Sequence, residues 1–170
     1  MPDQLFTVGH SNHSIRRFIE LLRSHAVVLV CDVRSTPYSR FNPQFNREAL
    51  QAELRKHGLD YLFLGKELGG KPDDPGLPTD PEARHAEIAG REGFRAGLER
   101  LLEEARRRRT AIMCAEKDPA KCHRTHLICP HIPHDITIHH ILADGSSLEH
   151  GRGDLGGGAD PPRQPSLFQE

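Results

Sequence analysis

The alternation of β-type and helix-type segments restricts the fold of this chain more than any other feature. Apolar runs suited to β-strands recur five times, at residues 5–8, 26–33, 59–64, 110–115 and 136–138. Helical patterns or helix-capping residues lie between these runs. Parallel strands need such crossover helices, whereas antiparallel strands can be joined by short turns. We therefore predict the α/β class: a single Rossmann-like domain over residues 4–143, with a parallel sheet of about five strands flanked by helices.

Local signals mark where several of these helices begin. Ser14 precedes a helical pattern and can accept a hydrogen bond from an exposed backbone N–H group, and Asn46 opens a second helix. Asp118 followed by Pro119 predicts a further helix start, because a proline in the first turn loses no hydrogen bond there. We expect this last helix to continue until Pro133.

Two segments do not follow the alternation. Residues 65–91 are rich in glycine and proline and are too long for an ordinary connection, which predicts a functional lid or a disordered insertion. The basic residues Lys66, Lys71 and Arg84 would give a lid positive charge. Residues 144–170 contain a glycine- and proline-rich stretch that cannot hold a core, so we predict a flexible C-terminal tail.

Composition excludes several classes of protein. The chain has no apolar run long enough for a transmembrane helix and no signal-like N-terminus, so we expect a cytoplasmic protein without membrane contacts. The formal net charge of −1 means that any affinity for nucleic acid must be local. The four cysteines are expected to be free thiols. We predict no cofactor, and the oligomeric state stays open.

Polar side chains follow four of the predicted strands. Ligands bind beyond the carboxyl ends of strands in open parallel sheets, so these residues are candidates for one active site. Glu116 and Asp32 are carboxylates whose surroundings could separate their pKa values into those of an acid and a base or nucleophile, and His10 could shuttle protons. These three are the predicted catalytic residues. Paired carboxylates suit hydrolysis of a glycosidic bond, including the bond between base and sugar.

The neighbouring polar residues suit binding of substrate or phosphate. This predicted set comprises Ser11, Arg34, Ser35, Lys66, Lys117, Lys121, Cys122, His123 and Arg124. The alternative is that Asp32–Arg34 and Glu116–Arg124 form structural ion pairs without a catalytic role.

The same segments carry a family resemblance. Thr7-Val-Gly-His-Ser11, Asp32-Val-Arg-Ser-x-Pro37 with Ser39, Pro43-Gln-Phe45, Leu68-Gly-Gly70 and Cys114-Ala-Glu-Lys-Asp-Pro-x-x-Cys-His-Arg124 resemble the domain-of-unknown-function family 488. The resemblance spans roughly residues 5–142. It implies a domain and the position of a site, but no particular reaction.

A metal site and a thiol site are two further interpretations of these residues. Cys114, Cys122, His123 and His126 could form a zinc set, but their spacing differs from compact zinc knuckles and adjacent helical residues diverge by about 100°. We therefore predict no metal. The Asp32-Val33-Arg34 strand end also resembles rhodanese-like domains, in which a reactive cysteine carries sulfur. Cys122 near a helix N-terminus could play that part, although the compact Cys-led loop of those domains is missing.

The last residues of the tail combine a polar residue with an apolar pair. Gln164, Leu167 and Phe168 resemble the peptide by which bacterial DNA polymerases and repair proteins bind the replication sliding clamp. With the strand-end site, this predicts a DNA-processing or DNA-repair enzyme that the clamp recruits, hydrolytic and directed at a base or nucleotide of DNA. A non-catalytic adaptor that binds nucleic acid or a nucleotide is the alternative, and rhodanese-like sulfur chemistry is a weaker one.

Overall fold

The computed structural model describes residues 3–151, and it confirms the predicted α/β class. The strands are β1 (Asp3–Gly9), β2 (Leu29–Asp32), β3 (Asp60–Phe63), β4 (Thr110–Cys114), β5 (Ile136–Ile141) and β6 (Ser147–Glu149). They form one sheet in the order β3-β2-β4-β1-β5-β6. The first five strands pair in parallel, and β6 pairs antiparallel to β5 at one edge.

Within residues 3–151, five α-helices cover the two faces of the sheet. They are α1 (Ile15–Ser24), α2 (Arg47–Lys56), α3 (Gly65–Leu68), α4 (Pro81–Ala89) and α5 (Glu92–Arg107). The N-cap predicted at Ser14 is confirmed, since its side chain accepts a hydrogen bond from the Arg17 N–H group. No helix within residues 3–151 has both the length and the apolar character needed to cross a membrane.

Side chains of successive strand residues pack into two separate cores. Phe6 of β1 and Met113 of β4 face α1 and α2, whereas Leu5 and Ile112 face the side that carries α3, α4 and α5. Successive strand residues point to opposite faces, and both faces of this sheet are covered. The continuous apolar character of the strands in the sequence therefore reflects burial on both sides.

The parallel register brings the carboxyl ends of three strands to one edge. Gly9 of β1 pairs with Cys114 of β4, and Asp32 of β2 pairs with Met113. The pairing continues beyond the strands, because the His10 N–H group donates to the Cys114 carbonyl oxygen at 2.9 Å. The residues that follow these strands are consequently held side by side at a common rim.

Three features of the fold differ from the sequence-based expectation. Helices α3 and α4 lie within residues 65–91, where an irregular segment was expected. Strand β6 lies beyond residue 143, so the sheet has six strands and extends past the predicted domain boundary. The helix expected from Asp118 to Pro133 is wrong. The chain there forms a 3-10 turn (Pro119–Lys121), a π-helical turn (Arg124–Ile128) and another 3-10 turn (Cys129–His131).

Backbone conformation explains why the single helix does not form. The Asp118 side chain does cap the first turn, accepting a hydrogen bond from the Ala120 N–H group at 2.9 Å. Cys122 then takes an extended conformation with φ −118° and ψ 147°, which ends that turn. Pro130 lacks a backbone N–H group and lies at the start of the last turn, where it cannot continue a regular α-helix.

Candidate functional site

A large cavity of about 1310 Å³ opens at the rim formed by the ends of β2 and β4. The turn after β4 forms part of its wall, and α4 with the segment before it forms another part. Its charged and imidazole lining residues are Arg34, Lys71, Glu82, Arg84, His85, Glu116, Lys121, His123, His126 and His131. Four of these carry permanent positive charge and two carry carboxylates, so the cavity suits an anionic ligand.

A smaller cavity of about 350 Å³ lies beside the large one. Arg34, Thr36, Ala115 and Glu116 line both cavities and therefore form the ridge between them. Ser11, Lys117 and Tyr38 line only the smaller cavity. Close in sequence to Tyr38, the Phe41 side chain is 89% exposed, which is unusual for a phenylalanine.

Asp32 and Arg34 form a buried ion pair at the end of β2. The guanidinium donates from Nε to one carboxylate oxygen at 2.9 Å and from Nη2 to the other at 2.7 Å. The Tyr61 hydroxyl donates to the same carboxylate at 2.6 Å, and burial raises the pKa of Tyr61. Asp32 is fully buried and lines neither cavity, so this geometry favours the structural ion pair over the predicted catalytic role.

His10 is held between the ion pair and the wall of the smaller cavity. Its Nδ1 lies 2.8 Å from the Ser11 carbonyl oxygen, and its Nε2 lies 3.3 Å from Nη1 of Arg34. The ring stacks on Phe45 at 4.5 Å between centroids. Burial lowers the pKa of His10 to about 4, so the imidazole is neutral at physiological pH. With both ring nitrogens engaged, His10 is better placed to position Arg34 than to shuttle protons.

Glu116 is the carboxylate of the predicted catalytic set that reaches the cavities. Its side chain is exposed on the ridge, and one oxygen accepts a hydrogen bond from the Asp118 N–H group at 3.0 Å. The predicted alternative of a Glu116–Arg124 ion pair is wrong. Nη2 of Arg124 instead donates to the Glu116 backbone carbonyl oxygen at 2.9 Å.

Arg124 is fully buried, which leaves no exposed group to bind a phosphate directly. Its Nη1 donates to Thr7 Oγ1 at 3.3 Å, and its Nε has no hydrogen-bond partner among the described residues. Within residues 3–151, no carboxylate forms an ion pair with it. A buried guanidinium without a carboxylate partner stabilises other nearby negative charge.

The Cys122 thiol is the closest candidate for that negative charge. Its Sγ accepts a hydrogen bond from the Arg124 backbone N–H group at 3.4 Å and lies 3.6 Å from Nδ1 of His123. The neighbouring Cys114 thiol, together with the charges of His123 and Arg124, lowers the pKa of Cys122 to about 4. Burial raises the pKa of Cys114, which therefore stays protonated, and its Sγ donates to the Glu116 carbonyl oxygen at 3.6 Å. Both cysteines line the large cavity.

The position of His123 is fixed from two sides. Its Nε2 lies 2.9 Å from the Val33 carbonyl oxygen, which can only accept a hydrogen bond, so Nε2 carries a proton and Nδ1 faces the Cys122 sulfur. On the other side, a Cβ atom at Gly70 would lie 2.8 Å from the His123 Cβ atom. Only glycine allows the backbone to approach this closely. Ser35 holds the same segment, because its Oγ accepts a hydrogen bond from the Lys71 N–H group at 2.9 Å.

Two further predicted residues have distinct placements. Ser11 adopts a φ of +46°, a left-handed conformation that costs energy for a residue other than glycine and is frequent at functional sites. Lys66 lies exposed on α3 and lines neither cavity. The structure thus brings most of the predicted set to the rim and leaves Lys66 outside it.

A family model now identifies the domain that carries this site. The model described as Domain of unknown function DUF488 matches residues 14–129, which is more than half of the 170-residue chain. The chain belongs to the DUF488 family. Asp32, Arg34, Glu116 and Cys122 all fall within the matched residues, whereas His10 precedes them. Comparisons with curated proteins and with solved structures each find no significant match.

Sequence reasoning missed several residues of the DUF488 site. Tyr38 and His85 lie in segments without regular periodicity, and only the folded chain places them in the cavity walls, whereas Phe41 lines neither cavity. An aromatic pair within a polar segment was the available signal for Tyr38 and Phe41. Within residues 3–151, the four residues weighed as a zinc set do not converge as ligands. The predicted clamp-binding residues Gln164, Leu167 and Phe168 lie outside the described residues.

Proposed function

We propose that this DUF488 chain is a hydrolase that acts on a nucleotide or on an accessible nucleotide of DNA, with Glu116 as its general base. The observation that carries the proposal is the position of Glu116 on the ridge between two cavities of different character. One cavity offers positive charge, and the other is lined by the aromatic ring of Tyr38. A nucleotide carries the complementary groups, a phosphate and a base.

In this proposal the large cavity binds the phosphate group of the substrate. Lys71 and Lys121 are exposed cations of its lining, and Arg84 is fixed by hydrogen bonds to the Gly70 carbonyl oxygen at 3.1 Å and the Thr79 carbonyl oxygen at 3.2 Å. A guanidinium fixed in this way loses less conformational entropy when it binds a phosphate. These residues come from the predicted lid segment and from the turn after β4.

The smaller cavity binds the base of the substrate. Tyr38 is anchored by a hydrogen bond from its hydroxyl to Glu48 at 2.7 Å, which leaves its ring 51% exposed. Its ring offers an aromatic face for stacking, an interaction worth about 1–3 kcal/mol per base, and the exposed Phe41 follows three residues later in the chain. A base within a DNA helix cannot reach such a recessed surface, so the substrate would be flipped out, damaged or single-stranded.

In this proposal Glu116 takes a proton from water. The Asp118 N–H group orients the carboxylate, and the solvent-exposed ridge gives water access to it. The water oxygen bonds to the sugar carbon or to phosphorus while the bond from that atom to the base or ester oxygen breaks, and the leaving group takes up a proton from solvent. Asp32 and His10 support this chemistry by fixing Arg34 rather than by reacting themselves.

The sliding clamp and DNA repair belong to the same proposal. Gln164, Leu167 and Phe168 would bring the chain to replicating DNA, where unpaired and damaged nucleotides occur. The affinity expected for a short peptide that becomes ordered on binding is micromolar.

A substrate panel with a matched pair of variants tests the hydrolase. The panel comprises nucleoside mono-, di- and triphosphates and oligonucleotides with abasic, mismatched and single-stranded positions. Glu116→Gln keeps the size and removes the charge, so turnover should fall by about 100-fold or more with binding retained. Glu82→Gln changes the other carboxylate of the large cavity and should leave turnover within about two-fold.

The outcomes separate the alternatives. Equal turnover of Glu116→Gln and wild type would overturn the general-base assignment. If no substrate turns over but the chain binds oligonucleotides, and Arg84→Ala weakens that binding, the non-catalytic adaptor is the better description. Phosphate contacts would also make the binding weaken steeply with salt.

Thiol chemistry is a second candidate, favoured by the surroundings of Cys122. The low pKa, the contact with His123 and the cavity position are what a nucleophilic cysteine requires. Transfer of sulfur from thiosulfate to cyanide, abolished in Cys122→Ser and retained in Glu116→Gln, would support this candidate over the hydrolase.

A further inference from the structure

A second cluster of polar side chains lies on the same face of the sheet as Arg124 but lines neither cavity. Cys129 begins the last 3-10 turn before β5, His140 lies in β5, and His150 directly follows β6. Cys129 and His140 are each only 3% exposed, and His150 is half-buried. Three segments that are separate in sequence therefore bring one thiol and two imidazoles together.

The potential ligand atoms of these side chains converge on one point. One ligand atom from each residue lies within 4.8 Å of the others, and His140 Nε2 is 3.0 Å from His150 Nδ1. A tetrahedral zinc ion with bonds of about 2.0 Å to nitrogen and 2.3 Å to sulfur holds its ligand atoms roughly 3.5 Å apart. Side-chain adjustments of about 1 Å would therefore bring all three atoms to zinc-bonding distance.

The surroundings orient His140 for coordination. Its Nδ1 lies 2.6 Å from Thr7 Oγ1, on the side of the ring away from His150. A hydroxyl oxygen can accept two hydrogen bonds, so Thr7 can accept one from His140 Nδ1–H as well as the one from Arg124 Nη1. In that tautomer the lone pair of Nε2 faces Cys129 and His150. Hydrogen bonds of this kind to the second ring nitrogen usually accompany metal-binding histidines.

We propose that Cys129, His140 and His150 bind one zinc ion. A thiolate with two imidazoles is a ligand set that zinc prefers, whereas calcium and magnesium require oxygen ligands. Three protein ligands leave one tetrahedral position for water or another group. The nearby Arg124 guanidinium opposes a cation, and the Cys129 thiolate offsets part of that repulsion.

The zinc ion would connect the edge of the sheet to the candidate site. It links the turn after Ile128 to β5 and to the residue that ends the β5–β6 hairpin. Through Thr7 the same cluster touches Arg124, whose backbone N–H group binds Cys122. Zinc would therefore stabilise the backbone that positions Cys122 without contacting a substrate.

Metal binding to the full chain provides the first test. The purified protein is stripped with a chelator and titrated with Co²⁺, whose thiolate charge-transfer band reports cysteine ligation. Wild type should bind one equivalent of Co²⁺, zinc should displace it, and zinc should raise the melting temperature as expected for a ligand of the folded state. Absence of a stoichiometric site in wild type would overturn the proposal without any variant.

Matched variants then identify the ligands. His150→Gln changes a half-buried residue after the last strand and should weaken Co²⁺ and zinc binding by about 100-fold or more. Cys129→Ser should remove the thiolate charge-transfer band of bound Co²⁺. Thr7→Val keeps the shape of the side chain and should weaken binding by about 10- to 100-fold.

His131→Gln, an exposed histidine of the same turn, and Cys122→Ser are the controls and should bind as wild type does. Retention of the band in Cys129→Ser, or its loss in Cys122→Ser, would place the metal elsewhere and overturn the assignment.

Discussion

The Arg34 guanidinium donates hydrogen bonds to both carboxylate oxygens of Asp32, at 2.9 and 2.7 Å, and both side chains are almost completely buried. The same guanidinium donates to the Phe45 carbonyl oxygen at 2.8 Å, and Asp32 also receives the Tyr61 hydroxyl. This pair therefore joins the end of β2 to β3 and to the 3-10 turn Pro43–Phe45. The ridge between the two cavities depends on it, because Arg34 contributes to that ridge.

Asp32→Asn should reduce the stability of the protein strongly. The substitution leaves the Arg34 charge buried without a partner, which costs about 3–5 kcal/mol of the free energy of unfolding. Urea unfolding followed by circular dichroism measures the loss. Asp60→Asn removes the partner of Arg108 in a more exposed ion pair and should cost less than about 1 kcal/mol. Similar losses in the two variants would show that the buried pair contributes no more than a surface pair.

The Cys122 thiol should react with iodoacetamide at nearly constant rate between about pH 5 and 8. Its pKa is lowered to about 4, so the reactive thiolate already predominates above that value and declines only as the pH falls through it. An ordinary thiol loses about tenfold in rate for each pH unit below its pKa of about 8.5. Mass spectrometry of the labelled peptide measures the rate at each pH.

Two controls accompany the alkylation measurement. Cys31 should stay unlabelled in the native protein, because it is fully buried and burial raises its pKa to about 12. The urea-unfolded chain should show the ordinary pH dependence at all cysteines. A Cys122 rate that falls tenfold per unit below pH 8 in the native protein would contradict the thiolate.

Gly70→Ala should disturb the candidate site more than the stability of the fold. The added Cβ atom would lie 2.8 Å from the His123 Cβ atom, so His123 must shift away from Cys122 and the alkylation rate at pH 6 should fall several-fold. Gly93→Ala is the matched control, since nothing lies within 4 Å of its added Cβ atom. It should leave the rate unchanged and stabilise α5 by about 0.5–1 kcal/mol. Equal rates in both variants would mean that the close approach of Gly70 does not position His123.

A peptide of residues 160–170 should bind a bacterial sliding clamp with micromolar affinity. Leu167 and Phe168 would fill an apolar pocket, so their replacement by alanine should abolish binding while the full chain keeps its melting temperature. Isothermal titration calorimetry with a scrambled peptide as control measures the interaction. Equal binding of the scrambled peptide would contradict specific recognition.

The sequence was most informative where one local pattern had one structural solution. The five predicted strands and the helices that begin after Ser14 and Asn46 are present, although Asn46 makes no side-chain capping hydrogen bond, and the family resemblance is confirmed over residues 14–129. The strand ends meet at one edge because parallel strands all point the same way. Local patterns predicted the secondary structure wrongly where several weak helix and turn signals occurred in one segment. The extended Cys122 and Pro130 both interrupt the segment that was expected to be one helix, and α4 was obscured by the prolines around it.

The sequence by itself determined the α/β class, the membership of the DUF488 family and the rim at which Arg34, Glu116 and Cys122 stand. These conclusions follow from hydrophobic periodicity and motif spacing, which can be read from residues close together in the sequence. Tertiary structure alone decided the role of each charged group. In the folded chain Asp32 forms an ion pair with Arg34, and Arg124 is buried beside Cys122. His140 also comes within hydrogen-bonding distance of His150 across the β5–β6 pair. The physical reason is that burial and ion pairing depend on which segments, distant in sequence, pack against the same face of the sheet. The local sequence pattern around a residue does not specify those partners.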